Sequence, residues 1–327
     1  MTEPPRPPPS FDVAVIGAGA AGLMAGYWAA RRRRRVILLE GSRACAQKIP
    51  ISGGGRCNVL PEDVQEGDFF TSGSRNVLRR LLRTWPRLEV ERFFLEELSM
   101  PLTLERKTRK LFPESESGRA VRDRLVAAAS DAGAEIAVRW RVARVDAVKP
   151  RGFLIAGPGG ERIAASRVII ATGGMSLPKT GSDGAGYRLA RALGHSIISP
   201  YPALVPLTSD DPGFRELAGV SLPVRWRALL GGRLVDEGAR ELLFTHRGFS
   251  GPAILDASHW AVRDGASIEL SWGGQTRGEW LARWRGAERR GPVSLVAAAL
   301  PRRLAEELCR RAGLTGEHRL GNLIREQ

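Results

Sequence analysis

Three glycines near the start of the chain stand at a spacing that suits the binding of nucleotide phosphates. Gly17, Gly19 and Gly22 form a G-x-G-x-x-G pattern directly after the apolar residues 11–16. In a strand–turn–helix unit the first glycine allows a tight turn, the second lets the backbone approach a pyrophosphate, and the third lets helix and strand pack closely. The helix N-terminus then directs amide groups and its dipole toward the phosphates. Ala21 lies in the same turn, and we assign it to the pyrophosphate turn together with the glycines.

A carboxylate follows the next apolar run. Residues 36–39 are Val-Ile-Leu-Leu and predict a second strand, and Glu40 stands at its end. An acid in this place accepts hydrogen bonds from ribose hydroxyls in dinucleotide-binding folds. An ordinary βαβ unit with a glycine-rich turn explains the glycines but not Glu40. The combination therefore predicts a dinucleotide site.

A second glycine-rich loop covers residues 48–58. Its glycines 53–55 are consecutive, and such a run can turn backbone amides toward an anion. Arg56 would add a two-pronged phosphate contact and Lys48 a point charge. A flexible loop without a ligand is the alternative, but basic and amide side chains flank the glycines, which favours a ligand.

These loops require a parallel sheet whose strand ends meet at one edge. Residues 167–170 predict a buried strand, and small residues follow at 171–174, as expected where a cofactor crosses the ends of the strands. The elements predicted between the motifs are two amphipathic helices within residues 75–100, a helix over 120–132 ended by Gly133, and strands over 136–148 and 153–156 joined by a turn at 149–152.

The character of the chain changes near His195, after which prolines are frequent. The alternation of apolar and polar residues then predicts half-buried antiparallel strands, so this part forms a second, mixed β/α module. The predicted elements are strands at 224–230, 242–245 and 268–272, and helices at 277–287 and 293–311, the latter broken at Pro301.

The 327 residues carry a formal net charge of +15, which raises the question of nucleic-acid binding. Lysine occurs at 5 positions, so 45 of the 50 basic residues are arginine. This skew is more typical of a GC-rich genome than of a selected phosphate-binding surface. Arg31 to Arg35 are interpreted as a solvated helix end. We therefore expect non-specific adhesion to polyanions but no specific nucleic-acid partner.

The remaining composition is that of a water-soluble globular protein, and no apolar run approaches the ~20 residues of a membrane helix. Residues 1–10 are proline-rich and predict a disordered tail rather than a signal peptide, so we expect a cytoplasmic location without a membrane partner. Cys45, Cys57 and Cys309 have neither metal-site nor disulfide spacing. No metal site is predicted, and the oligomeric state is left open.

The motifs together resemble the HI0933/YhiN/BaiN family of NAD(P)/FAD-dependent oxidoreductases, which includes aminoacetone oxidase-like flavoproteins and bile-acid reductases. The most specific match is Ile-Ser-Gly-Gly-Gly-Arg-Cys-Asn at residues 51–58. The other matching segments are residues 15–25, 48–49, 171–174, 178–182, 184–187, 202–207, 243–246 and 250–252.

The resemblance implies an α/β fold: a Rossmann-type FAD-binding domain, with a parallel sheet and a β-meander, over residues 11–195, and an inserted mixed β/α domain over residues 196–327. It also implies FAD rather than NAD in the first site. The residues that it assigns to the cofactor are Gly17, Gly19, Ala21 and Gly22 at the pyrophosphate, Glu40 at the ribose, Lys48, Ser52, Gly54, Arg56, Cys57 and Asn58 toward the phosphates and ring, Val142 at the adenine, and Ala171, Thr172 and Gly173 beside the cofactor.

The chain departs from the family pattern at its end. Family members resume the flavin domain after the inserted domain, with a late strand and a Gly-Asp-Gly-Gly-rich turn. No such segment follows Pro292, and residues 314–327 are polar and helix-like. We therefore expect the C-terminal part of the flavin domain to be missing, through either a natural end or a truncation.

The expected function is that of an FAD-dependent oxidoreductase, passing a hydride between NAD(P)H and a small organic substrate. The reaction is reduction of an activated C=C bond or oxidation of an amine, with oxygen as another possible redox partner. The alternatives are a flavoprotein that acts on or near RNA and a truncated fragment with weak or no FAD binding. His246 and Tyr187 are candidates for proton transfer, but no catalytic residue is assigned.

Overall fold

The computed structural model describes residues 10–70, 73–148, 151–285 and 290–314, and the statements below refer to them. The chain divides into two compact units, residues 1–199 and residues 200–327. The predicted tail lies outside the described residues except for Ser10, which begins the first strand. Half of the predicted turn at 149–152, and residues 315–327, also lie outside them.

The first unit is built on a six-stranded sheet in the order β6-β2-β1-β9-β8-β7. Strands β6, β2, β1 and β9 are parallel, whereas β8 and β7 run antiparallel as a meander. All four residues of β2 are buried, as expected for a parallel strand covered on both faces. The bounds are β1 Ser10–Ile16, β2 Val36–Leu39, β6 Glu135–Ala137, β7 Arg144–Ala147, β8 Phe153–Ala156 and β9 Arg162–Ile170. The predicted α/β fold with a parallel sheet and a meander is confirmed.

The prediction of one strand over residues 136–148 is wrong. Strands β6 and β7 lie at opposite edges of the sheet, and the chain between them leaves the sheet. Arg139 adopts φ +58 and donates its N–H to the Ser42 carbonyl at 2.8 Å. Trp140 likewise donates to the Glu40 carbonyl at 2.8 Å. Alternation of apolar residues is the same on both sides of this break, so periodicity alone does not reveal it.

Among the described residues of the first unit, five α-helices and a small three-stranded sheet accompany the large sheet. Helix α1 packs in the core with Val15, Val36 and Leu38, which are fully buried. Burying a side chain of this size stabilises the fold by roughly 1.5–3 kcal/mol. The three helices predicted over residues 75–132 are present, and Gly133 follows the last with φ +97. The bounds are α1 Ala20–Arg31, α2 Arg75–Thr84, α3 Arg87–Arg92, α4 Gly118–Asp131 and α5 Ala185–Ala192, with strands β3 Leu60–Pro61, β4 Leu102–Glu105 and β5 Lys110–Pro113.

The second unit has a five-stranded antiparallel sheet in the order β10-β13-β12-β11-β14. On β11 the residues Leu222, Val224, Trp226 and Ala228 are buried and alternate with exposed ones, which is the predicted half-buried pattern. The strands are β10 Leu207–Thr208, β11 Ser221–Leu230, β12 Arg233–Thr245, β13 Gly248–Ser250 and β14 Ser267–Trp272.

Ile254, Val296 and Leu304, which lie in three helices of the second unit, are buried in one core with residues of β11 and β12. The predicted break at Pro301 is confirmed, since separate helices precede and follow it. The helix α7 was not predicted, although proline at its first position is a start signal. The bounds are α6 Pro212–Glu216, α7 Pro252–Asp264, α8 Arg277–Arg285, α9 Pro292–Ala297 and α10 Arg302–Arg311. Among the described residues of both units, no helix has the length and apolarity needed to cross a bilayer.

Candidate cofactor-binding site

A cavity of about 650 Å³ opens in the first unit where β1, β2 and β9 end. This volume lies within the range of small-molecule and cofactor pockets, about 300–1,000 Å³. The structure brings nine of the predicted cofactor residues together in its lining, although they come from segments far apart in the chain. These nine are Gly17, Gly19, Ala21, Glu40, Lys48, Val142, Ala171, Thr172 and Gly173.

The three glycines of the first turn are needed for three different reasons. Gly17 adopts φ +98, and a Cβ there would lie 2.7 Å from the Ala171 carbonyl oxygen. At Gly22 a Cβ would lie 1.9 Å from the Gly17 carbonyl oxygen, so the helix could not pack so closely on the strand. At Gly19, by contrast, a Cβ would meet no protein atom within 4 Å. Neither packing nor φ, which is −73°, requires glycine there. A ligand that approaches the backbone would require glycine there, and this requirement fits a bound dinucleotide.

Glu40 holds the turn together from the end of β2. One carboxylate oxygen accepts the Ala18 N–H at 2.9 Å and the other accepts the Ser42 N–H at 2.8 Å. An ionised carboxylate offers about four acceptor positions, so about two stay available to hydroxyl groups in the cavity. Glu40 therefore shapes the turn and can still bind a ribose.

We expect Glu40→Gln to weaken FAD binding about tenfold. A glutamine amide has a single oxygen, so its NH₂ group would face one of the two backbone N–H groups that the Glu40 carboxylate binds in the wild type. Losing such a charged hydrogen bond costs about 1.5–3 kcal/mol. FAD affinity can be measured by flavin fluorescence. The matched control is Asp12→Asn, because Asp12 also accepts a backbone N–H, from Arg35 at 2.9 Å, but does not line the cavity. Equal FAD affinity of Glu40→Gln and the wild type would contradict this role.

The glycine-rich loop at residues 48–58 reaches the cavity at its beginning, through Lys48 and Ile49. Arg56 is instead held by the protein: its guanidinium pairs with Glu105 at 2.9 Å and Glu116 at 3.2 Å, and lies 4.1 Å from the centre of the Phe112 ring. Both partners raise the pKa of Arg56 through hydrogen bonds. The structure therefore does not bring Arg56 to the cavity lining.

The other predicted residues of this loop also lie away from the lining. Ser52 donates its hydroxyl to the Ile49 carbonyl at 2.8 Å, and Cys57 is buried in the core, where burial raises the pKa of its thiol. Gly54, with φ +69, has no protein atom within 4 Å of a would-be Cβ, and Asn58 is exposed. The cofactor roles of Ser52, Gly54, Arg56, Cys57 and Asn58 stay predictions.

The structure adds polar lining residues to which sequence reasoning gave no role. Lys48 Nζ donates to Ser182 Oγ at 2.5 Å, and Arg141 forms an ion pair with Asp183, which lowers the pKa of that carboxyl. The matching segments at residues 178–182 and 184–187 include Ser182 and flank Asp183, without assigning contacts. Of the proton-transfer candidates, Tyr187 lines the cavity, whereas His246 is an exposed residue between β12 and β13 of the second unit.

The chain is similar to known proteins over most of its length. The profile of the HI0933-like protein Rossmann domain matches residues 11–297. A ribosomal RNA dihydrouridine synthase of Escherichia coli is 32% identical over 266 residues, which cover 80% of this chain and 64% of that protein. The protein of the same name from Haemophilus influenzae is 30% identical over 78% of this chain and 63% of its own length. A 3-dehydro-bile acid delta(4,6)-reductase of Clostridium scindens is 32% identical over 75% of this chain and 59% of its own length. The chain thus spans about three fifths of these curated relatives.

Proposed function

The chain belongs to the HI0933-like family, and on this premise we propose that it binds FAD in the cavity of its first unit and reduces an activated C=C bond. One observation carries the proposal: Gly19 borders the cavity, and a Cβ at this position would meet open space, with no protein atom within 4 Å. When bound, FAD supplies a group that accepts and donates a hydride. The nicotinamide cofactor NAD(P)H is the proposed reductant.

The lining residues divide the binding of such a cofactor between them. The backbone at Gly17 and Gly19 and the N-terminal turn of α1 offer N–H groups and a positive dipole end to the diphosphate. Lys48 adds a positive charge on the same cavity, and Glu40 offers acceptors to the ribose hydroxyls. Strand β2 and the end of β9 hold these groups in place from the core of the sheet.

Chemistry shared by the relatives supports one substrate class. A dihydrouridine synthase saturates the C5=C6 bond of uridine, which is conjugated with a carbonyl group, and a delta(4,6)-reductase by its name also reduces C=C bonds. Both names favour reduction of an alkene conjugated with a carbonyl over oxidation of an amine. We propose a small enone as the substrate. Uridine in RNA is the second candidate, favoured by the names of two relatives; the net charge of +15 permits this substrate but does not specify it.

Spectroscopy on the purified protein tests the proposal in steps. We expect the protein to take up FAD and show an oxidised flavin spectrum, which NADH or NADPH bleaches under anaerobic conditions. Adding an enone, or an RNA transcript that contains uridine, should restore the oxidised spectrum and so distinguish the two candidates. Protein that stays colourless after incubation with FAD would reject the proposal and favour a fragment without cofactor. Bleaching of the oxidised flavin by an amine, with no reoxidation of reduced flavin by either candidate, would contradict the proposal and favour amine oxidation.

A further inference from the structure

A loop at residues 174–184 forms one side of the cavity and is closed on itself at its base. The Gly184 N–H donates to the Gly174 carbonyl at 3.1 Å, so the two ends meet, as in an Ω-loop. Glycines with left-handed backbone stand at both ends, Gly173 with φ +75 and Gly184 with φ +80. Its residues 180–183 line the cavity. We call this segment the cavity loop.

Two polar contacts and one close approach connect the cavity loop to three other parts of the lining. Ser182 accepts a hydrogen bond from Lys48, Asp183 pairs with Arg141, and a Cβ at Gly181 would lie 3.2 Å from Ser42 Oγ. Ser182 is buried, whereas Met175, at the start of the loop, is 57% exposed. Charge and hydrogen bonds, rather than core packing, therefore hold the loop against the lining.

The ion pair between Arg141 and Asp183 joins the two sides of the cavity. Arg141 precedes Val142, on the segment between β6 and β7, whereas Asp183 lies just before α5 and also accepts the Ala185 N–H at 3.1 Å. The side chains of Arg141 and Asp183 are 51% and 32% exposed, so water and salt reach the pair and weaken it. A contact of this strength can open locally without unfolding the unit.

We propose that Arg141 and Asp183 are positioning residues that latch the cavity loop, and that the loop must unlatch for the cofactor to exchange. The inference rests on the proposed FAD site. Breaking the pair leaves the fold intact because neither side chain belongs to the core, but it raises the fraction of time for which the loop is open. Asp183→Asn is a mild variant, since an asparagine oxygen can still accept the Ala185 N–H.

The first test measures the loop without any cofactor. Lysine occurs at five positions, and Lys179 lies exposed within the cavity loop, so a lysine-specific protease reports on opening there. We expect cleavage after Lys179 to be about threefold faster in Arg141→Gln and Asp183→Asn than in the wild type. Arg144→Gln is the control, because it removes an ion pair with Asp146 at 2.8 Å that does not line the cavity. Equal cleavage in all four proteins overturns the latch.

The second test measures FAD release from the loaded protein into an excess of a flavin-scavenging apoprotein. We expect about threefold faster release in each single variant, and recovery toward the wild-type rate when Arg141→Asp is combined with Asp183→Arg. Added salt should accelerate release from the wild type more than from the variants. If the variants release FAD at the wild-type rate, the latch is overturned but the proposed FAD site is not. Failure of the wild type to bind FAD overturns the proposed function, while the cleavage test still decides whether the loop is latched.

Discussion

Gly19→Glu is expected to abolish FAD binding while leaving the fold of the apoprotein unchanged. A Cβ at this position meets no protein atom within 4 Å, and φ of −73° is ordinary for any residue. The new side chain would therefore enter the cavity rather than the core. Its carboxylate would compete for the N–H groups at the start of α1 and repel a diphosphate. We expect an affinity loss of more than about a hundredfold.

Flavin fluorescence or calorimetry measures the affinity, and thermal unfolding without FAD measures the fold. Gly278→Glu is the matched control, because it adds the same side chain at an exposed position whose Cβ would meet a single oxygen at 3.9 Å. The FAD affinity of Gly19→Ala should lie between the affinities of Gly19→Glu and Gly278→Glu, since a methyl group fills little of the cavity. If Gly19→Glu binds FAD like the wild type, the cofactor does not lie against this turn. If it unfolds the apoprotein, glycine serves the fold and not the ligand.

Local signals were sufficient to predict the first βαβ unit. The positive φ of Gly17 and the packing of Gly22 on Gly17 belong to one turn, although Gly17 also packs against Ala171, and the acid at residue 40 follows from the length of α1 and β2. Their consequences in space, a positive φ at Gly17 and close packing at Gly22, are present in the structure. Gly22, which packs on the Gly17 carbonyl within the same turn, is therefore the residue whose role the spacing predicts most directly.

Arg56 shows why the second loop could not be placed in the same way. Its flanking glycines suggest an anion, but its charge is taken by Glu105 and Glu116, which lie 49 and 60 residues later. Nothing in the spacing of the loop encodes those partners, since they reach Arg56 through the small sheet of β3, β4 and β5. Arg141 and Asp183 are 42 residues apart, and the spacing of their segments likewise does not predict that they form an ion pair. Ion pairs between distant segments require the fold before they can be assigned.

Hydrophobic periodicity had a different limit in residues 136–148. Strand pairing depends on which backbone groups find partners, and the backbone at Arg139 and Trp140 binds the loop after β2 instead of a neighbouring strand. Apolar residues continue across the break although their burial does not, since Val138 is 44% exposed and Val142 is buried again. This turn of the chain also carries Arg141 and Val142 to the cavity. The misread segment is therefore one that contributes to the site.

Gly22→Ala is the prediction with the largest expected effect on stability. The new Cβ would lie 1.9 Å from the Gly17 carbonyl oxygen and 2.9 Å from its carbon, and both are backbone atoms. A rotamer change cannot relieve this overlap, so α1 has to move away from β1. We expect a loss of about 3 kcal/mol in the free energy of unfolding, after allowing for the helix propensity that alanine adds.

Gly26→Ala provides the matched control within the same helix. Its Cβ would lie 2.6 Å from a Leu38 side-chain methyl, which can shift, so we expect a loss of about 1 kcal/mol or less. Urea unfolding of the two apoproteins, compared with the wild type, measures both values. Because the Gly17 turn also lines the cavity, Gly22→Ala should weaken FAD binding as well, whereas Gly26 lies outside the lining. Equal stability of the two variants would mean that close packing of α1 on β1 is not what glycine provides at residue 22.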